Sequence, residues 1–220
     1  MKLLIDADFI VYKCCAAAED EIDWGDDVIT VVSKFSEAYA AVEREIVKIR
    51  SEFMLAEPVL FFSDSKNFRK KIYPDYKGHR NRKKPCGYKR VITELSAFYK
   101  VVRIPELEAD DAMGIFATHE PGNIIVSPDK DMRQIPGRLY DLKETVDIRQ
   151  KHCRCSAIDL LEKDGYTWDT VVKAFKSKEL DEDTALMNAR LAKILQHTDY
   201  DAVERRVIPW LPTTASSRAN

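Results

Sequence analysis

Short runs of β-branched and aromatic residues punctuate the chain at residues 3–5 (LLI), 59–62 (VLFF), 101–104 (VVRI), 124–126 (IIV) and 138–140 (RLY). None alternates with polar residues, which is the pattern of strands buried on both faces of a parallel sheet. Between the first two runs, Val28, Val32, Phe35, Tyr39, Val42, Ile46, Ile49 and Phe53 recur at alternating spacings of four and three. That spacing predicts one long helix whose apolar stripe is core and carries no chemistry. Strands alternating with helices predict an α/β fold, a mainly parallel central sheet flanked by helices. Past residue 150 the pattern changes: residues 158–176 and 182–196 read as helices, and WLPTTASSRAN as a loose tail. The chain therefore divides into a core over 1–150 and a small helical C-terminal part over 151–220.

Composition narrows the class. A chain of 220 residues with 45% hydrophobic and 33% charged residues has enough apolar material for one substantial domain and a small appendage. No apolar run approaches the roughly 18 residues of a membrane span, and the N-terminus lacks a signal-peptide pattern, so the expectation is a cytoplasmic protein with no membrane role. Five cysteines, an odd count without framework spacing, predict reduced thiols. KHCRC (His152, Cys153, Cys155) is half of a zinc pattern with no second half, and incidental thiols are the simpler reading.

The net charge of −2 hides an uneven distribution. Residues 66–90, KNFRKKIYPDYKGHRNRKKPCGYKR, hold 11 Lys and Arg and one acid, Asp75. The remainder carries 24 basic and 36 acidic residues, a net of −12. An acidic body with one concentrated basic segment is a focused site for a polyanion. Tyr76, Tyr73 and Phe68 interleave with the cations, as stacking on a frayed nucleotide requires. A solvated charged loop explains Lys83 and Lys84 more readily than it explains YPDYKGHR.

The acids are clustered too. In LEADDAMGIFA, Glu108, Asp110 and Asp111 crowd the mouth of an apolar helix. One or two acids would satisfy the helix dipole. Three on rows leading inward repel one another unless a cation sits between them. Asp6 and Asp8 follow the first strand, Asp64 the second, and Asp129 and Asp131 the fourth. Every cluster thus falls at the carboxyl end of a strand, the edge where open α/β sheets place ligands. Carboxylate oxygens suit Mg²⁺ or Mn²⁺, and a carboxylate cage beside a basic segment suits metal-assisted chemistry on phosphodiesters.

LLIDADFIVY, FFSDSKNFRKKIYPDYKGHR, LEADDAMG and IIVSPDKDMRQIPG resemble, in order and spacing, the motifs of the 5′ nucleases, the PIN-like flap endonucleases and 5′→3′ exonucleases, especially those of bacteriophages. The resemblance covers about residues 1–145. It implies a metal-dependent nuclease acting on DNA with a free 5′ end or 5′ flap, and on RNA in RNA–DNA hybrids as a further substrate. Two ions, Mg²⁺ or Mn²⁺, are implied. Asp6, Asp64, Glu108, Asp110 and Asp111 match the first metal site, and Asp129 and Asp131 begin the second. Asp8 matches no principal ligand. Lys77 and Arg80 match catalytic positions near the reacting phosphate. Arg69 matches a backbone contact, and Tyr76, Arg82, Lys83 and Lys84 complete the expected nucleic-acid-binding segment.

The likeness breaks after residue 145. The family's G-D-x-x-D segment, which supplies the last two carboxylates of the second site and a duplex-gripping hairpin, has no counterpart here, so that site is incomplete by sequence. Three other readings follow: a nucleic-acid-binding variant that turns over poorly, a PIN-type ribonuclease needing about four of these acids, and a phosphatase with a nucleophilic aspartate in LLIDADFI. The long basic segment argues against the second, and Ile10, where that chemistry needs Thr or Val, against the third.

Overall fold

The computed structural model describes residues 1–79, 83–149 and 181–211. Five strands fall where the apolar runs predict them: β1 (Lys2–Asp6), β4 (Glu57–Phe61), β5 (Lys100–Val102), β6 (Ile124–Val126) and β7 (Gly137–Tyr140). With β8 (Thr145–Ile148) they form a six-stranded sheet in the order β5-β4-β1-β6-β7-β8. All neighbours run parallel except β8, which returns antiparallel to β7. Register places Leu4 between Val59 on one side and Ile125 on the other. Leu3, Leu4, Ile5, Leu60, Phe61 and Ile124 are all fully buried, so these runs lack alternation because both sheet faces are covered.

One face carries α1 (Ala7–Ala17), α2 (Phe35–Glu52) and α4 (Tyr88–Phe98); their buried residues Val11, Val42, Ile46, Val91 and Leu95 share a core with Leu3, Ile5 and Leu60. The other face carries α5 (Ala109–His119), whose Ala112 and Met113 pack with Leu4, Phe61 and Ile125. The predicted long helix is shorter than its stripe. Its last six members do lie in or beside α2, but Val28 precedes β3 (Ile29–Ser33) and Val32 lies within it. β3 pairs antiparallel with β2 (Glu19–Asp23) in a separate two-stranded hairpin. Gly25, Asp26 and Asp27 all take positive φ at its tip, a turn that ends any helix.

α3 (Arg69–Ile72) opens the basic segment. The C-terminal helix, expected over 182–196, is α6 (Glu182–Ala192). Residues 193–195 continue as extended chain across α5, followed by a small pair, β9 (Tyr200–Asp201) with β10 (Arg206–Val207). Ile194 joins the core with Leu4 and Met113, and Leu195 packs with Phe68, Leu107 and Ile115. The expected helix over 158–176, the boundary at 150 and residues 152–155 lie outside the described residues, as does the tail from 212.

The crossing of α5 and residues 193–195 is close. A Cβ on Gly114 would stand 2.3 Å from the Leu195 carbonyl oxygen and 3.0 Å from Ile135 Cδ1. The first is backbone and cannot swing aside. Gly114→Ala is therefore expected to destabilise the chain despite alanine's better helix propensity, by about 1–3 kcal/mol as for other overpacked sites. Urea denaturation checks this, and a stabilised variant would show that the two segments separate freely.

Candidate metal and nucleic-acid site

Four adjacent strands, β5, β4, β1 and β6, deliver acids to one edge of the sheet. Asp6 ends β1 and caps α1, accepting from the Phe9 N–H at 3.1 Å. Its other oxygen accepts from the Ser127 hydroxyl at 3.1 Å, just past β6. Ser127 Oγ in turn accepts the Asp129 N–H at 3.2 Å, so one serine sets the spacing between the two strand ends. Asp64, beyond β4, accepts from the Glu106 N–H at 2.8 Å. Glu108 is the N-cap of α5, and Asp110 and Asp111 stand in its first turn.

These acids are not equivalent. Burial pushes the Asp6 carboxyl up to about 6, with Asp8 and Asp129 adding to the rise. Burial drives Asp110 well above the usual carboxylate range, and Asp6, Asp129, Asp111 and Glu108 all push it further. Asp64 is held below its ordinary value, chiefly by the Glu106 N–H. Burial alone would raise Glu108, but Lys77 and Arg69 outweigh it and hold it low. Asp6, Asp110 and Asp129 therefore form a repulsive group, while Asp64 and Glu108 already have partners.

Two expectations are corrected at Arg69 and Asp111. Arg69 is 1% exposed and Asp111 0%. The guanidinium grips both oxygens of Asp111, at 2.6 and 2.9 Å, and reaches Glu108 at 3.3 Å. It also donates to the Leu191 carbonyl at 2.8 Å and the Lys193 carbonyl at 2.7 Å. Every face of the fork is used, so Arg69 meets no phosphate in this conformation. Asp111, which also accepts the Leu195 N–H at 3.2 Å, has no oxygen free for an ion. Phe68 is corrected likewise: it is buried with Leu107, Ile115 and Leu195 and offers no stacking face.

Among the basic residues, Lys77 stands 2.5 Å from Glu108, and the Tyr76 hydroxyl donates to the same carboxylate at 3.2 Å. Tyr76 thus turns inward, and Tyr73 is the exposed aromatic. Lys83 and Lys84 are exposed, the latter with its ammonium 4.4 Å above the Tyr88 ring. Arg80 and Arg82 lie outside the described residues.

Two serines escaped the sequence reading, and Asp8, set aside there as a ligand, has a structural role. Ser127 bridges Asp6 and Asp129, and Ser63 Oγ accepts the Ala109 N–H at 3.0 Å, fixing the start of α5. Asp8 is a strut: it accepts the Ser63 N–H at 2.7 Å and the Tyr88 hydroxyl. A signal for the serines exists, since FFSD and VSPD each place one between a strand and its acid.

Among the described residues no three Asp, Glu, His or Cys side chains already converge on a common metal position. The donor set nonetheless fits a hard cation. All candidate ligands are carboxylate oxygens, and the charge on Asp110 and Asp6 has no neutralising partner, whereas Asp111 and Glu108 have Arg69 and Lys77.

Residues 1–152 match the family model described as the 5′-3′ exonuclease N-terminal resolvase-like domain. The chain belongs to the 5′-3′ exonuclease family. It is 33% identical over 147 residues to an exodeoxyribonuclease of Enterobacteria phage T3, covering 61% of this chain and 48% of that one. The likeness to an exonuclease of Escherichia phage T7 is also 33% over 147 residues, 61% of this chain and 49% of that one. The chain thus spans about half the length of these relatives. Its fold is similar to a bacteriophage T5 protein co-crystallized with metal ions (TM-score 0.60, 11% identity, 87% and 89% of the two chains). A T5 flap endonuclease in a pseudo-enzyme–product complex with DNA and metal ions gives a TM-score of 0.56 at 12% identity, over 87% and 88%.

The repulsion has a testable sign. A carboxyl whose folded value lies above its unfolded value, about 4, binds its proton more tightly in the folded state. Its stabilising contribution is full below pH 4 and is lost as pH rises through the folded value. In chelator, Asp110→Asn should match the wild type near pH 4 and melt several degrees higher by pH 7, because the uncharged amide escapes the penalty. A gap that shrinks with rising pH would mean that Asp110 already has a cationic partner.

Proposed function

We propose that this chain is a metal-dependent nuclease that hydrolyses DNA phosphodiester bonds from a free 5′ end or at a 5′ flap, in the 5′→3′ direction. The observation that carries the reading is the group of mutually repelling acids, Asp6 at the end of β1, Asp110 in the first turn of α5 and Asp129 just past β6, bordered by the basic segment that Arg69 anchors. Family membership and the phage exonuclease relatives support the activity, and the T5 complex with DNA and metal ions supports the substrate class. RNA in an RNA–DNA hybrid is the further substrate to be compared.

Asp6, Asp110 and Asp129 would hold Mg²⁺ or Mn²⁺, with Asp64, Glu108 and Asp131 completing the oxygen shell. A divalent ion held by these carboxylates would supply activation of water and an offset for charge on the leaving oxygen. The chain's own residues do the positioning. Ser127 and Ser63 hold Asp6 and the α5 N-terminus at fixed strand ends. Lys77 is paired with Glu108, and in the proposed reaction its ammonium would exchange that carboxylate for a phosphate oxygen and stabilise the charge developing there. Arg80 is proposed to share that role, and Arg82, Lys83, Lys84 and Tyr76 to guide the strand.

A second reading, a binding protein with poor turnover, is favoured by one feature: the sequence lacks the family segment that completes the second metal site. One ion is then bound firmly and a second weakly, since two carboxylates hold a hydrated cation poorly without substrate phosphate.

Incubating the chain with an end-labelled 5′-flap duplex and Mn²⁺ tests the reading. Cleavage that stops with chelator and with Asp110→Asn is expected, and Lys77→Ala should slow turnover by roughly 10²–10³-fold with little change in affinity. Binding of the flap without any cleavage, under single-turnover conditions with excess protein, selects the second reading.

A further inference from the structure

The hairpin of β2 and β3 supplies none of the acids at the sheet edge and forms a two-stranded sheet of its own. Its strands pair only with each other among the described strands, and all but their first and last residues, Glu19 and Ser33, are exposed. An isolated two-stranded ribbon is marginal in water, and large apolar side chains on it are costly to leave wet. Yet this one exposes Trp24 (68%) and Ile29 (59%), with Val28, Val31 and Val32 beside them. Single exposed apolar residues mean little, but a contiguous set on one small ribbon marks an interaction surface.

The ribbon is also held ready. Its base is tied to the body where Glu19 accepts the Cys86 N–H at 2.6 Å and Cys86 Sγ reaches the Val31 carbonyl at 3.8 Å. Its tip is fixed by the Trp24 indole N–H, which donates to Thr30 Oγ1 at 3.1 Å. Both contacts lower the ordering cost of binding.

Charge selects the occupant. Residues 19–27 hold six acids and no Lys or Arg. Cross-strand register sets Glu21 against Val31 and Asp23 against Ile29 on one face and Asp20 against Val32 on the other, so each apolar position of β3 has a carboxylate opposite it, while Ile22 faces Thr30. Nucleic acid is repelled by such a ribbon. A second copy docking ribbon to ribbon would stack six acids on six, and like charges across an interface are strongly disfavoured. What complements it is an extended protein segment that alternates cationic and apolar residues.

We propose that the Glu19–Ser33 hairpin is a docking ribbon for a protein partner presenting a lysine- or arginine-rich, β-branched strand, joined either at an open strand edge or across one face. Among the described residues, the ribbon hydrogen-bonds to the basic segment only through Cys86 and contributes none of the carboxylates at the sheet edge, so this inference does not depend on the proposed activity.

The probe is a synthetic peptide of alternating lysine and valine, with a glutamate–valine peptide as control, added to the full chain carrying 5-fluorotryptophan. Fluorine NMR reads the Trp24 signal, identified by its loss in Trp24→Phe, against the other tryptophans. A saturable shift confined to Trp24, absent with the acidic peptide, weakened at least tenfold in the triple variant Asp20→Asn, Glu21→Gln, Asp23→Asn and abolished in Val31→Asp, is the expected result. A circular dichroism melt unchanged by Val31→Asp would show that the loss is not unfolding; if that variant unfolds, the charge variant decides alone. The proposal is overturned if the basic peptide leaves Trp24 unmoved or shifts all tryptophans alike. It is overturned equally if duplex DNA gives the Trp24 shift, or if sedimentation shows a dimer that Val31→Asp dissociates.

Discussion

Arg69 and Asp111 meet in the interior, and much else is arranged around them. A buried charge is tolerated only when it is paired and fully hydrogen-bonded, and removing one partner of such a pair commonly costs about 3–5 kcal/mol. Here the guanidinium is satisfied by Asp111, Glu108 and the carbonyls of Leu191 and Lys193. The pair therefore fixes three parts of the chain at once: the start of the basic segment, the N-terminus of α5 and the extended residues that cross α5. The close approach of Gly114 to Leu195 belongs to the same joint.

That joint divides the acids by role. Asp111 and, in part, Glu108 are neutralised by the protein's own cations, whereas Asp6, Asp110 and Asp129 are left to repel one another at the sheet edge. The fold supplies the energy that holds them together, and relief comes from whatever cation enters. In the proposed nuclease, stability given up locally would be exchanged for affinity toward a divalent ion, a common arrangement at binding sites. The basic segment, tied at Arg69 and resting on Glu108 through Lys77, then borders the acids without filling the space between them.

Much of this was legible in the sequence. Strands buried on both faces leave unbroken apolar runs, so all five predicted strands are present, and acids just past them had to share an edge. The hairpin was misread because Val28 and Val32 satisfy helical spacing and strand propensity equally; WGDD, immediately before Val28, was the deciding turn signal. β8 was missed because its residues, TVDI, give too short an apolar run. Arg69 looked like its neighbours Lys70 and Lys71, since its burial depends on carbonyls more than 120 residues away, at Leu191 and Lys193. No local pattern reports a contact of that range. The ion pair of Asp111 was hidden for the same reason, as an acid in a cage cannot be told by spacing from an acid in an ion pair.

The division between strut and ligand is tested most directly by melting the wild type, Asp110→Asn and Asp111→Asn in chelator and then in Mn²⁺. Mn²⁺ should raise the wild-type melting temperature by mass action. Asp110→Asn should melt no lower than the wild type in chelator at neutral pH and lose most of the Mn²⁺ shift. Asp111→Asn should melt far lower in chelator, with only the longer Glu108 contact left to offset the Arg69 charge, yet keep a Mn²⁺ shift close to the wild type's. If Asp111→Asn instead melts normally in chelator and loses the shift, Asp111 is a metal ligand and the account built on Arg69 is wrong.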